Sequence, residues 1–223
     1  MSTFAVRWEA LPPAQRQLWP AFSGSAGLGF VLYGETAVAL RLGHRTSLDF
    51  DFFTERPLDR NAMAESFAFL SRSTVVQDRK DTLSVLTPTN AGEVKVSFFG
   101  EISIGRVGVP DATPDGVLEV ASLLDLLATK LKVLQQRIEA KDYLDVIAML
   151  KSGVGLEDGL AGASAMYGLN FQPSESLKAL SYFEGGDLNL LSAEQKELLS
   201  VAAAKVHRVP IGAIVARGLS SRG

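Results

Sequence analysis

The sequence predicts an α+β fold, with a mixed or antiparallel sheet in the first half of the chain and a helical second half. Three observations predict it. Short runs of strand-like character crowd into residues 29–107, the clearest being Leu48-Asp49-Phe50-Asp51-Phe52-Phe53. Apolar residues recur at helical spacing from about Val117 to Lys151, and beyond Ser152 the chain is rich in alanine, leucine and glycine. A chain of 223 residues that is 47% hydrophobic and 21% charged can bury a proper core. The division falls into an α/β core over residues 1–115 and a helical region over 116–223.

Taken in order, residues 1–23 carry Trp8, Leu11, Leu18, Trp19 and Phe22, interrupted by Pro12, Pro13 and Pro20, which predicts short helical turns that pack aromatics onto the main body. Gly29–Tyr33 reads as an apolar strand, Gly34 as a turn, and Glu35–Leu42 as a helix. Strand, glycine and helix in that order present free backbone N–H groups at a positive dipole end, a ready anion site, although a plain connection reads the same way.

The acidic strand follows. Successive side chains of a strand point to opposite faces, so Asp49 and Asp51 share one face and Phe50 and Phe52 the other. The two carboxylates then lie about 7 Å apart along the strand by its rise per residue. Like charges that close raise each other's pKa. A divalent cation would relieve them, and Mg²⁺ takes one or two carboxylates together with water and substrate phosphates. A solvated sheet face carrying two acids has the same pattern.

Residues 58–71 predict a helix, and Thr74–Gln77, Leu83–Thr87 and Val94–Phe99 predict strands, the last after a hairpin turn at Asn90 and Gly92. A shorter strand is expected over Ile102–Val107, then a loop from Pro110 to Gly116. Val117–Lys151 is long enough for two helices with a bend near Ile138–Lys141. Lys130, Arg137, Lys141 and Asp145 recur at intervals that keep them on roughly one helical face, which is also what a solvated charged stripe looks like. Helices are further expected at 156–167, 173–183 and 192–207, the last opening at Ser192-Ala193-Glu194-Gln195 and ended by Pro210.

Composition excludes several classes. A net charge of −3 argues against a wholly basic nucleic-acid binder, so any RNA contact rests on a local patch. With no cysteine there is no disulfide, thiolate metal site or cysteine nucleophile, and two histidines, His44 and His207, are too few for a histidine-built zinc site. No apolar stretch reaches the roughly 20 residues that span a bilayer, and no basic n-region with an apolar run opens the chain, so no membrane is expected and the cytoplasm is the expected compartment.

The order of the pieces says more than any one of them. A glycine turn opening a helix, a D-x-D strand, further strands, and a long helix bearing a lysine and an acid are the tools of phosphoryl or nucleotidyl transfer, where catalysis is mostly positioning and charge stabilisation. The stretch from Tyr33 to Phe53, with Gly34, Thr36, Gly-His-Arg at 43–45, Ser47, Asp49 and Asp51, resembles the first motif of the AbiEii/AbiGii nucleotidyltransferase toxin family. Thr129-Lys130-Leu131 with Arg137, Lys141, Asp142 and Asp145 resembles its second signature, and the likeness runs over roughly residues 29–151.

The resemblance implies a DNA polymerase β-like nucleotidyltransferase core and transfer of a nucleotide from an NTP, with Mg²⁺ as cofactor. It implies an RNA acceptor, tRNA among the candidates, and a cognate antitoxin as partner. Carried over residue by residue, Asp49 and Asp51 hold the metal, and Gly34 and Thr36 contact the triphosphate, with Ser47 adding a hydroxyl. Lys130 neutralises phosphate charge, Asp145 is the late catalytic acid, and Arg45, Arg137 and Lys141 are accessory cations, the alternative for His44 and Arg45 being that they hold the loop in shape. Two positions depart from the pattern: Glu35 stands where the family has a second glycine, and Ser97 where a third carboxylate often stands. A catalytically impaired member that binds nucleotide or protein is the alternative.

Overall fold

The structure, a computed structural model, describes residues 2–221. Helix α1 (Pro13–Leu18) lies between two short 3-10 turns, Trp8–Ala10 and Trp19–Phe22. The second turn sets Phe22 against Phe50 and Phe52 with ring centroids 4.7 and 5.0 Å apart, the aromatic packing expected of this region. Strand β1 (Val31–Tyr33) passes into α2 (Gly34–Leu42), and β2 (Asp49–Phe53) follows.

Helix α3 (Arg60–Ser66) begins at Asp59, whose side chain accepts from the backbone N–H groups of Asn61 and Ala62. The helix expected over 58–71 breaks at Phe67 and resumes as a 3-10 segment, Ala68–Arg72. Burial explains the break: Phe67 and Phe69 are both in the core, and residues two apart do not face the same way on an α-helix.

Strands β3 (Thr74–Arg79), β4 (Thr82–Thr89) and β5 (Gly92–Phe99) form a meander, with the β4–β5 turn at the expected hairpin. The strand expected over Ile102–Val107 is not formed. Glu101 and Gly105 both have positive φ, which breaks an extended run, and Arg106 alone bridges to Ala216. Two short strands stand instead where a loop and a helix start were expected, β6 (Asp111–Ala112) and β7 (Glu119–Val120).

The helical region contains α4 (Leu123–Val133), α5 (Ala140–Lys151), α6 (Leu156–Tyr167), α7 (Pro173–Ala179) and α8 (Ala193–Ala204). The expected bend is a full break between Val133 and Ala140. α7 and α8 end several residues before the expected 183 and 207. Ser192 and Gln195 form a reciprocal capping box at the start of α8. Among the described residues no helix is long and apolar enough to cross a membrane.

The seven strands of the described residues join one mixed sheet in the order β3-β4-β5-β2-β1-β7-β6. β2 runs parallel to β5 and β1 parallel to β7, and the remaining pairs are antiparallel. Phe50, Phe52 and Phe98 pack on one face, with Phe52 and Phe98 stacked at 5.4 Å, in a hydrophobic cluster that extends into α4, α5 and α6. That burial fixes the register of β2, because a one-residue slip would drive Asp49 and Asp51 into the core. The acids are thereby held on the opposite face, where Asp49 lies beside Lys95, Asp51 beside Ser97 and Phe53 beside Phe99.

Candidate active site

The site begins at the junction of β1 and α2. Gly34 has φ +71°, and a Cβ there would stand 2.6 Å from Asp51 Oδ2. Glycine is thus required twice, for the backbone conformation and for the close approach of the carboxylate. No side chain caps the first turn of α2, and Gly34 and Glu35 at its start line the same cleft as Asp51.

A cleft of about 600 Å³ opens over this face, and Gly34, Asp49, Asp51, Lys130, Arg137 and Lys141 all line it. The strand acids and the lysine of α4, far apart in sequence, share one cavity. Burial, and then the charge of Asp49, push Asp51 up to about 6, against the opposing pull of Lys95. Asp49 and Asp51 are the residues able to hold a divalent cation. Among the described residues no group of three or more His, Cys, Asp or Glu side chains is placed to hold a metal ion.

Behind the cleft wall lies a buried network. Lys130 Nζ is 2.7 Å from Asp142 Oδ1 and 2.6 Å from Asp145 Oδ2. Arg137 donates to Asp142 through Nε at 2.8 Å and Nη2 at 3.0 Å. Arg45 donates to both oxygens of Asp145 at 2.7 and 3.0 Å, and His44 Nε2 is 2.7 Å from Oδ1. Burial raises the pKa of Asp145, but the bonds and charges of His44, Lys130 and Arg45 outweigh it and hold the group at about 2. Asp142 is likewise held low, by Arg137 and Lys130 against its burial.

The sequence-derived residues therefore fall into two sets. Gly34, Asp49, Asp51, Lys130, Arg137 and Lys141 face the cleft, while Arg45, Asp145, Thr36 and Ser47 lie outside its lining. Thr36 and Ser47 are both buried; their hydroxyls are 2.7 Å apart, and Thr36 donates to the Asp49 carbonyl, tying the start of α2 to the start of β2. Glu35 does line the cleft, but its Oε2 accepts from Arg45 at 2.9 Å and lies 3.7 Å from Lys141, so its charge is matched. Ser97 is buried and accepts from Ser84 at 3.1 Å.

Sequence reasoning missed Lys95 and the part played by Asp142. Lys95 was legible as an outward residue of its strand, but nothing short of the β2–β5 register shows that it faces Asp49. Asp142 is three residues from Asp145, a helical spacing that sets two acids side by side on α5, and that spacing was the available signal; the structure sets Lys130 of α4 between them.

Three comparisons bear on this geometry. A family model described as nucleotidyl transferase AbiEii toxin, type IV toxin–antitoxin system, matches residues 24–195. An uncharacterized protein of Aquifex aeolicus (strain VF5) is 34% identical over 158 residues, which cover 70% of this chain and 74% of that relative. A solved structure of a putative nucleotidyltransferase from H. pylori shares the fold, with a TM-score of 0.56 over 86% of this chain and 93% of that one at 18% identity. The chain belongs to the AbiEii family of nucleotidyl transferase toxins.

Proposed function

We propose that the protein is an active Mg²⁺-dependent nucleotidyltransferase that moves a nucleotide from an NTP to a hydroxyl of an RNA acceptor, tRNA foremost, as the toxin of a toxin–antitoxin pair. The observation that carries this reading is the shared cleft, in which Asp49 and Asp51 of β2 and Lys130 of α4 face one cavity beside an uncapped helix N-terminus. In this reading residues 1–115 supply the acids and the glycine turn, and residues 116–223 supply Lys130 and Asp145.

Each residue then has a defined task. Asp49 and Asp51 would hold the cation, which when bound would supply positive charge to the triphosphate and to the departing pyrophosphate. The N–H groups that follow Gly34 bind phosphate oxygens at the positive end of α2. Lys130 presents its ammonium to the triphosphate, and Arg137 and Lys141 add charge at the rim. Asp145, held ionised by four contacts, positions Lys130 rather than exchanging a proton, and Arg45 supports it. Thr36 and Ser47 act beneath the site by fixing α2 to β2.

In the transfer itself the acceptor oxygen bonds to the α-phosphorus, the bond from that phosphorus to the bridging oxygen breaks, pyrophosphate leaves with the electron pair, and the hydroxyl proton passes to water in the cleft. A catalytically impaired binding module is the second reading, motivated by Glu35 and Ser97. The Arg45 contact speaks against the first motive, because it matches the charge of Glu35.

Incubation with labelled NTPs, Mg²⁺ and total tRNA tests the choice. Wild type should transfer label to RNA, and Asp49→Ala should lower the rate at least about 100-fold, the scale of losing a preorganised charge in an active site. Mg²⁺-dependent nucleotide binding without transfer would favour the binding module, and the absence of both would end the proposal.

A further inference from the structure

Among the described residues four cationic side chains line the cleft, and three of them are held by acids outside the strand pair. Lys130 is clasped by Asp142 and Asp145, Arg137 by Asp142 and Glu139, and Lys141 by Glu35 and Glu139. Lys95 is different. The parallel register of β5 against β2 sets it beside Asp49, with Nζ 3.5 Å from Asp49 Oδ2, and among the described residues Asp49 is its one ion-pair partner.

The geometry of that pair is loose. The two side chains are 43% and 33% exposed, the distance is long for a charged hydrogen bond, and water competes for both groups. Such a contact is readily given up. Yet it places one positive charge against a carboxylate that the nucleotidyltransferase reading assigns to a cation. A lysine carries its charge on a flexible four-carbon stem, so the ammonium can move several ångströms while β5 stays fixed.

We propose that Lys95 stands in for the cation: it neutralises Asp49 while the site is empty, and when Mg²⁺ enters with the NTP the ammonium leaves Asp49 and pairs with the oxygens of the triphosphate. This rests on the nucleotidyltransferase reading and adds a residue to it. Mg²⁺ alone must displace Lys95 for no return, whereas Mg²⁺ together with a triphosphate gives the displaced ammonium a new anionic partner. Metal and nucleotide therefore bind cooperatively, each strengthening the other by the same factor. Removing the charge of Lys95 should move the two affinities in opposite directions, which a merely structural lysine would not do.

The test is calorimetry on the full chain, titrating MgCl₂ alone and then the four non-hydrolysable NTP analogues at saturating Mg²⁺, for wild type, Lys95→Met and Lys95→Arg. Methionine keeps the stem without the charge. Lys95→Met should bind Mg²⁺ alone several-fold tighter and the preferred analogue about fivefold weaker, the upper scale of one solvent-exposed charge pair. Lys95→Arg should stay near wild type in both. Wild-type protein that binds Mg²⁺ and nucleotide while Lys95→Met matches it, or loses both affinities together, overturns the role of Lys95 alone. Wild-type protein that binds neither overturns the nucleotidyltransferase reading beneath it.

Discussion

Gly34 sets how closely Asp51 can approach the start of α2. With φ +71° and only 2.6 Å between the place a Cβ would take and Asp51 Oδ2, Gly34→Ala both strains the backbone and pushes the carboxylate aside. Nucleotide affinity should fall at least about tenfold, at a folding cost of roughly 1–2 kcal/mol, read by calorimetry and thermal melting. Asp51 itself gives a pH signature. Its pKa of about 6 lies above the ordinary 3.8, so between those values the metal-free fold keeps a proton that the unfolded chain has lost. This group's contribution is fully present below about pH 4 and is lost as pH rises through 6. Asp51→Asn should therefore stabilise the metal-free protein at pH 7 by roughly 2–3 kcal/mol while abolishing transfer; a lower melting temperature would contradict this. The alternation of acid and phenylalanine made Asp49 and Asp51 legible in the sequence. The burial of Thr36 and Ser47 was not, because a hydroxyl beside a glycine turn can face phosphate or backbone, and only the packing of α2 on β2 decides.

At the scale of elements, α4 and α5 are joined less by their connection than by the ions between them. Lys130 from α4 meets Asp142 and Asp145 from α5, and Arg137 in the break closes on Asp142. Removing one member of a buried set leaves the others uncompensated, so Asp142→Ala should cost about 3–5 kcal/mol and lower the melting temperature by roughly 10 °C. Acid should act on the same joint. The pKa of Asp145 is depressed to about 2, so its contribution is present above pH 4 and is lost as pH falls through 2. Circular dichroism should show helix loss in that window, and helix content unchanged down to pH 2 would contradict it. The long strands and α6 were legible from period and composition. β6 and β7 were not, since two residues carry no period, and Ile102–Val107 misled because its apolar spacing conceals the positive φ of Gly105 within it and of Glu101 just before it.

The whole molecule presents one mixed sheet whose hidden face anchors the core and whose other face carries the cleft. Membership of the AbiEii family follows from the match over residues 24–195, and the two motif regions that suggested it in the sequence converge in space. A ligand bound to the folded state alone stabilises it by about 2.7 kcal/mol at 100 times its Kd. The preferred NTP with Mg²⁺ should therefore raise the melting temperature by roughly 5–10 °C in wild type and leave Asp49→Ala unmoved. The most direct measurement is an anomalous difference map from crystals grown with Mn²⁺ and a non-hydrolysable NTP. The expected result is a peak between the Asp49 and Asp51 carboxylates, with triphosphate density reaching the start of α2 and Lys130. Triphosphate density with no metal at that pair, or metal and nucleotide bound elsewhere, would contradict it.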